Sequence, residues 1–346
     1  MPVVKSNCPE GLAKVNISER TKRFWDTNLI WDMLYPLESP GESYGCPEKY
    51  LDHYIDAGIS FTAISPAEDA SNIERAVRTF AYYRKLIQSR PDAFIHALTV
   101  EDVLRAKREG KLAIGMQSHG TAWFGKNVGV LEVFRELGLR IVQIAFNASN
   151  FVGGGCSDKA DGGLTTYGNK VVREIERLRM LVDLAHTGYR TTLDIFEIAT
   201  RPLVISHAGI MAVHQHYRNI RNDQLQALAR NGGVVGLSGN NAYIGDEHGS
   251  MSAIFQHLDH VVQLIGPDHV GFGFDFVFEP ALLDEWARQI EDEWPDSKNP
   301  AWKGFRFQRP KDVIELVQLM FDHGYPEDAV KKIVSGNFIR VCTEVW

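Results

Sequence analysis

Three side chains stand where short apolar runs end. His186 follows "RMLVDLA" (179–185), His207 follows "PLVIS" (202–206), and Asp275 closes "DHVGFGFD" (268–275). Imidazole and carboxylate are ligands that zinc prefers, and a catalytic zinc keeps one position open for water. A single histidine at a strand end is ordinarily a hydrogen-bonded structural residue. Two on successive runs, with an aspartate on the last, point instead to a metal site. Gln117 and His119 end or follow "KLAIGMQ" (111–117), and Phe146 and Asn147 end or follow "LRIVQIAF" (139–146).

Other residues offer chemistry with a plainer reading beside it. Arg218 in "HYRN" fits a carboxylate clamp, because guanidinium matches carboxylate bidentately; the plainer reading is a surface ion pair. His214 and His216 in "VHQHYR" form an H-x-H pair, which on a loop is more often solvated than metallated. Cys156 reads as a ligand, a nucleophile or a packing residue. Asp158 and Asp161 beside it read as solvated loop acids. His119 reads as a proton donor or a helix cap.

These positions need a scaffold that brings strand ends together. Further apolar runs occupy 28–33, 59–65 and 232–238, with "AFIHAL" (93–98) as a candidate ninth. Runs of this length bounded by Gly or polar residues suit strands buried on both faces. Amphipathic stretches lie between and after them at 70–88, 165–179, 251–266, 311–324 and 326–341. Eight strands alternating with helices predict a (β/α)8 TIM barrel, whose active site lies at the C-terminal strand ends. A doubly wound open sheet is the alternative, but no G-x-G-x-x-G opens a helix after the first strand. The barrel is expected to take up residues 1–346 as a single domain. The Trp-bearing stretch 279–310 is then an insertion or lid, and the irregular stretch 147–164 a functional loop.

Composition narrows the function classes. The 346 residues are 44% hydrophobic and 23% charged, as in ordinary globular proteins. The net charge of −7 carries no basic face, so nucleic acid is excluded as an expected partner. No run reaches the ~18–20 apolar residues of a membrane span. The four cysteines (Cys8, Cys46, Cys156, Cys342) are widely spaced, which fits a reducing compartment, and the expected location is cytoplasmic.

Several runs, in order, resemble the membrane (renal) dipeptidase family, peptidase family M19 of the amidohydrolase superfamily. They are "GLTTYGNKVVREIERLRMLVDLAHTG", "PLVISHAG", "YRN" with "DQLQALARNGGVVGL", "HLDHVVQLIGPDHVGFGFDF" and "GNFIRV". The resemblance covers about residue 110 to the C-terminus and is loose before it. It implies a metallo-dependent (β/α)8 barrel with a two-zinc centre that cleaves dipeptides, and a homodimer. By matching position, His186 and His207 fall on the pair that holds one zinc. Asp275 falls on the aspartate that contacts the other metal and takes the water's proton. Arg218 falls on the arginine that grips the substrate carboxylate, and the substrate contacts extend to Phe146, Asn147 and Tyr243.

The departures fall on the second metal. The family opens with D-G-H-x-D; with Asp32 on its first Asp, "LIWDMLYP" puts Leu34 at the histidine and Pro36 at the second Asp. Shifting to "WDTNLI" puts Asn28 and Ile30 there instead. The bridging glutamate falls on Gln117, and a substrate-contacting histidine falls on Phe146. The chain thus resembles the branch with Gln at the bridge and a "GGGCSD" loop. That resemblance implies a single zinc, completed by Gln117, Cys156 or Asp275 beside the two histidines. The expected function is metal-dependent hydrolysis of an amide bond in a small, carboxylate-bearing substrate, with Asp275 and His119 moving protons. Two alternatives stand: a decarboxylase or lyase on a small carboxylic acid, and a metal-free, non-catalytic binding barrel.

Overall fold

In the computed structural model, residues 15–36, 48–300 and 302–346 are described. Parallel strands alternate with helices: β1 (Phe61–Glu68), β2 (Phe94–His96), β3 (Leu112–His119), β4 (Leu139–Gln143), β5 (Leu181–Asp183), β6 (Val204–Ala208), β7 (Val234–Leu237) and β8 (Val270–Phe272). Seven of the eight predicted runs thus hold a strand, with ends shifted by a few residues, while the first, 28–33, forms isolated bridges at Trp31 and Asp32. β2, the candidate ninth strand, pairs only with the start of β3 and lies off the main path.

Residues 31–35 fill the gap between β8 and β1. The Asp32 amide donates to Phe61 O (3.0 Å), Tyr35 to Ala63 O (2.8 Å) and Met33 to Phe272 O (2.9 Å). These bonds join the two ends of the curled sheet, so the architecture is the (β/α)8 barrel and not an open doubly wound sheet. Every residue of β1, β3, β4 and β6 is buried, which is why these strands read as runs and not as alternation. At the N-terminal end of the barrel Trp31 stacks on Phe61 with 4.0 Å between ring centroids, backed by Phe338 and Trp346. The opposite, C-terminal end is left for chemistry.

The stretch 326–341 is not one regular helix. Glu327–Lys331 opens into a wider π turn, Lys332–Gly336, before Asn337–Val345. Within that turn the Val334 carbonyl accepts the Trp31 amide (2.8 Å), so the irregularity anchors the segment that closes the barrel.

The loop 147–164 has neither helix nor strand, but it is tied down. Gly155 bridges to Thr187, and the Cys156 amide donates to His186 O (2.8 Å). A Cβ on Gly155 would lie 1.9 Å from the Asn147 carbonyl oxygen, so only glycine permits this crossing. Asp161 accepts from the Thr191 amide (3.0 Å) and hydroxyl (2.7 Å), and Asp158 from the Gly155 amide (2.9 Å). Both acids organise the loop and are not simply solvated.

Residues 279–310 carry a helix, Pro280–Gln289, and a 3-10 turn, Pro295–Lys298. Among the described residues Cys156 and Cys342 are free thiols; Cys8 and Cys46 lie outside them. No described helix is long and apolar enough to cross a membrane.

Gly155→Ala is expected to lower unfolding stability by about 1–3 kcal/mol, the usual cost of forcing an extra methyl into a packed site. Urea denaturation measures it; a change within a few tenths of that scale would mean the loop does not pack on Asn147 as described.

Candidate metal centre

Strand geometry delivers the candidate residues to one mouth. Asn147, His186 and Asp275, which follow β4, β5 and β8, are three of the four described non-glycine residues with positive φ, at 58°, 60° and 60°. Left-handed backbone is unfavourable for such residues and clusters at functional sites. The twist turns each side chain inward at the point where its strand stops.

His186 and His207 are 3% and 1% exposed, and their Nε2 atoms face each other at 2.8 Å. Their other nitrogens fix the tautomers. His186 Nδ1 donates to Asn147 Oδ1 (2.6 Å). Ser206 Oγ gives its proton to Asp183 Oδ2 (2.5 Å), so it can only accept from His207 Nδ1 (2.8 Å). Asp183 is held in turn by the Ala185 (3.0 Å) and Ser206 (2.8 Å) amides. Both Nε2 atoms therefore present lone pairs to the same gap, an arrangement that a cation between them relieves. Burial, with Arg218 next, holds both histidines well below their ordinary pKa, so the nitrogens stay free of protons at neutral pH. An imidazole whose second nitrogen is anchored to an amide oxygen or a hydroxyl–carboxylate relay is the usual state of a metal ligand.

The rest of the expected ligand set is not assembled. Among the described residues no three His, Cys, Asp or Glu side chains converge where one ion could reach them all. Cys156 Sγ donates to Asn147 Oδ1 (3.3 Å), and desolvation pushes its thiol up to about 12. Asp275 does not join the pair; burial raises its carboxyl, the Arg218 charge opposes that, and its own charge adds to the rise of Asp32. Gln117 Nε2 donates to Ser65 Oγ (3.3 Å), leaving Gln117 Oε1 buried without a partner.

Ser65 also sets His119. Its Oγ accepts the Gln117 amide proton and lies 3.2 Å from His119 Nε2, while His119 Nδ1 is buried and unpartnered. Burial, then Arg218, takes the His119 pKa down to about 3. The turn that follows has Thr121 at its cap position and not His119, whose ring faces Ser65.

Arg218 is 2% exposed and is no surface ion pair. One nitrogen donates to His207 O (2.7 Å), the guanidinium lies 5.4 Å from the Tyr243 ring centroid, and Nε and Nη1 have no partner. Unpaired buried donors cost about 1–3 kcal/mol each. The Tyr243 hydroxyl is likewise buried and free. Phe146 stacks on His186 at 4.4 Å, under Trp294 of the 279–310 stretch at 6.1 Å. The Asn147 oxygen is taken by His186, so its first role is to orient that ring, with Nδ2 left over. His214 and His216 lie near-parallel at 6.4 Å between centroids and do not converge on a common point. Their pairing as a metal site is not formed.

A family pattern described as membrane dipeptidase (peptidase family M19) matches residues 52–288. The chain belongs to the membrane dipeptidase family. It is 29% identical over 300 residues to a dipeptidase of Claviceps purpurea, covering 84% of this chain and 65% of that protein. It is 28% identical over 268 residues to a dipeptidase of Aspergillus oryzae, covering 75% and 58%. The chain thus spans less than two thirds of the length of these curated relatives. An amidohydrolase structure from Pseudomonas aeruginosa superposes with a TM-score of 0.85 at 23% identity, covering 94% of this chain and 99% of that one. A Rhodobacter sphaeroides metallopeptidase, liganded with a phosphinate mimic of L-Ala-D-Ala, gives 0.73 at 20% identity, covering 92% and 100%. At these identities the structures support the fold.

This membrane dipeptidase family member departs at the first strand. Leu34 and Pro36 are fully packed, while Asp32 Oδ1 accepts the Phe274 amide (2.8 Å). Sequence reading missed Asp183, Ser206 and Ser65, although Asp183 stands three residues before His186 and Ser206 directly precedes His207. It also missed Asp69, which joins the loops after β1, β3 and β4 through the Ala122 (2.6 Å) and Phe146 (3.0 Å) amides and the Asn150 carboxamide (3.0 Å).

Burial pushes Asp32 up to about 8, against the Phe274 amide and with the Asp275 charge adding. The unfolded carboxyl titrates near ~4. The folded chain therefore keeps a proton that the unfolded chain releases, and this contribution to stability falls as pH rises from about 4 to about 8. Asp32→Asn, permanently neutral, is expected to gain melting temperature over the parent across that window. A difference that does not change with pH contradicts the buried neutral carboxyl.

Proposed function

We propose that the protein is a metal-dependent hydrolase that cleaves the amide bond of a small, carboxylate-bearing, dipeptide-like substrate, using one metal ion. The observation that carries this reading is the pair of facing Nε2 lone pairs on His186 and His207, beside a buried arginine with two free N–H groups. These residues fit one zinc ion and do not fit two. His186 and His207 would hold it, with the free carboxamide oxygen of Gln117 as a neutral donor. A bound zinc supplies Lewis acidity and a water whose pKa is lowered towards ~7.

The chain's own groups do the rest. Arg218 Nε and Nη1 receive the substrate carboxylate, and the Tyr243 hydroxyl adds a donor beside them. Desolvation, with the Arg218 charge opposing it, pushes Asp275 up to about 7. Near neutral pH it can therefore take a proton from the attacking water and return it to the leaving amine. His119 offers its Nδ1–H to the substrate carbonyl oxygen on the side where the family's second cation is missing. Phe146, Trp286 and Trp294 exclude water above the histidines. Residues 279–310 act as a lid on a single (β/α)8 barrel spanning 1–346. The widely spaced cysteines support a cytoplasmic location, and the partner is a small molecule, with a homodimer as the assembly.

His207→Ala is expected to lose zinc and hydrolysis together. Arg218→Met is expected to raise KM for dipeptides by about 30-fold or more, the cost of removing one partner of a buried charge pair. Steady-state kinetics on a dipeptide panel with metal analysis of each variant decides. No cleavage by the zinc-loaded parent, or full activity in His207→Ala, overturns the reading.

A further inference from the structure

His216 lies beside the arginine but takes no part in the site described so far. Its side chain is 9% exposed. Its Nδ1 accepts the backbone amide of Arg218 (3.1 Å), and its Nε2 lies 2.9 Å from Asp296 Oδ2. A ring that accepts at Nδ1 carries its proton on Nε2, so His216 donates to Asp296. Each bond supports the other, because the carboxylate selects the tautomer that can hold the Arg218 backbone.

Asp296 belongs to the turn Pro295–Lys298, two residues beyond Trp294. Trp294 is 5% exposed, with ring centroids 6.1 Å from Phe146 and 6.4 Å from His186. One short piece of the 279–310 stretch therefore reaches both halves of the mouth. Trp294 covers the histidines, and Asp296 reaches the loop that carries Arg218. Beside the His216–Asp296 pair a cavity of about 310 Å³ opens, bordered by Asn241, Trp302 and Lys303. The His216–Asp296 pair is one of several polar contacts that join the stretch to the barrel there, with the Asn241 bonds to Gly304 and Arg306 and the Lys303–Glu247 pair. Burial raises the Asp296 carboxyl, but the hydrogen bond from His216 leads the influences that outweigh it and hold the group below the usual carboxylate range, so Asp296 accepts that bond as a carboxylate.

We infer that Asp296 is a positioning residue: through His216 it fixes the backbone at Arg218, so that closure of the 279–310 stretch and readiness to bind the substrate carboxylate are one event. This rests on the reading that Arg218 receives that carboxylate. It adds to that reading a residue from outside the barrel strands. Among the described residues the guanidinium makes one hydrogen bond, to the His207 carbonyl, and lies over the Tyr243 ring, so the backbone at 218 helps control where its two free N–H groups point.

The test uses the zinc-loaded full chain and two probes, N-acetylalanine and N-acetylalaninamide, titrated by calorimetry. Binding is read directly, so the outcome does not depend on whether any dipeptide is cleaved. The parent is expected to prefer the acid over the amide. Asp296→Ala is expected to weaken acid binding by about tenfold, the loss of a charge-assisted hydrogen bond, and to leave the amide unchanged. Asp296→Asn, which still offers an oxygen to His216 Nε2, is expected to stay within about twofold of the parent. A purely structural role would weaken both probes alike in Asp296→Ala. That result overturns the inference, as does unchanged acid binding in that variant or a parent that does not distinguish acid from amide. For a substrate that is cleaved, the same variant is expected to raise KM and spare kcat.

Discussion

Two imidazole nitrogens held lone pair to lone pair at 2.8 Å are the constraint on which the site depends. Neither ring is free to turn away. Asn147 holds one from behind, and the Ser206–Asp183 relay holds the other. Building that relay takes a buried carboxylate, a buried hydroxyl and two residues in left-handed backbone, Asn147 and His186. An arrangement this costly is stable only where a positive centre fills the gap, and the loss of protonation on both rings makes a metal ion the natural one.

The same physics explains what the site gave up. A second cation needs charged ligands on the first strand and a carboxylate bridge. Leu34 and Pro36 supply packing there, and Gln117 supplies a neutral oxygen. Two carboxyls, Asp32 and Asp275, remain close enough to influence one another and are both raised towards neutral pH. Among the described residues Arg218 is the positive charge that recurs around the site. After burial it is the next cause that lowers the three histidines, and it opposes the rise of Asp275, so the residue proposed to bind substrate also bears on the protonation of the residues around it. That dual role makes its exact placement matter, and it gives the His216–Asp296 contact its consequence.

The barrel was legible because strands buried on both faces leave uninterrupted apolar runs: seven of the eight predicted runs hold a strand, the first gives isolated bridges at Trp31 and Asp32, and the candidate ninth is the off-path β2. Their ends were less legible: β5 is only Leu181–Asp183, because His186 already lies in the left-handed turn that aims it. His186, His207 and Arg218 could be placed because each follows a run or a recognisable segment. Cys156 could not be judged from its position in a glycine-rich loop. Gly155 serves close approach to Asn147, and the thiol donates to the Asn147 carboxamide. His216 and Asp296 were illegible for a different reason: they are 80 residues apart, and only the return of the 279–310 stretch over the mouth brings them together.

X-ray absorption at the zinc edge, on full-length protein loaded with zinc and freed of excess, tests the mononuclear centre most directly when combined with metal content. A mononuclear centre gives one zinc per chain, imidazole nitrogens in its coordination shell and no metal–metal scattering. Two zinc ions per chain with a metal–metal vector, or zinc retained at full occupancy in His207→Ala, would contradict it.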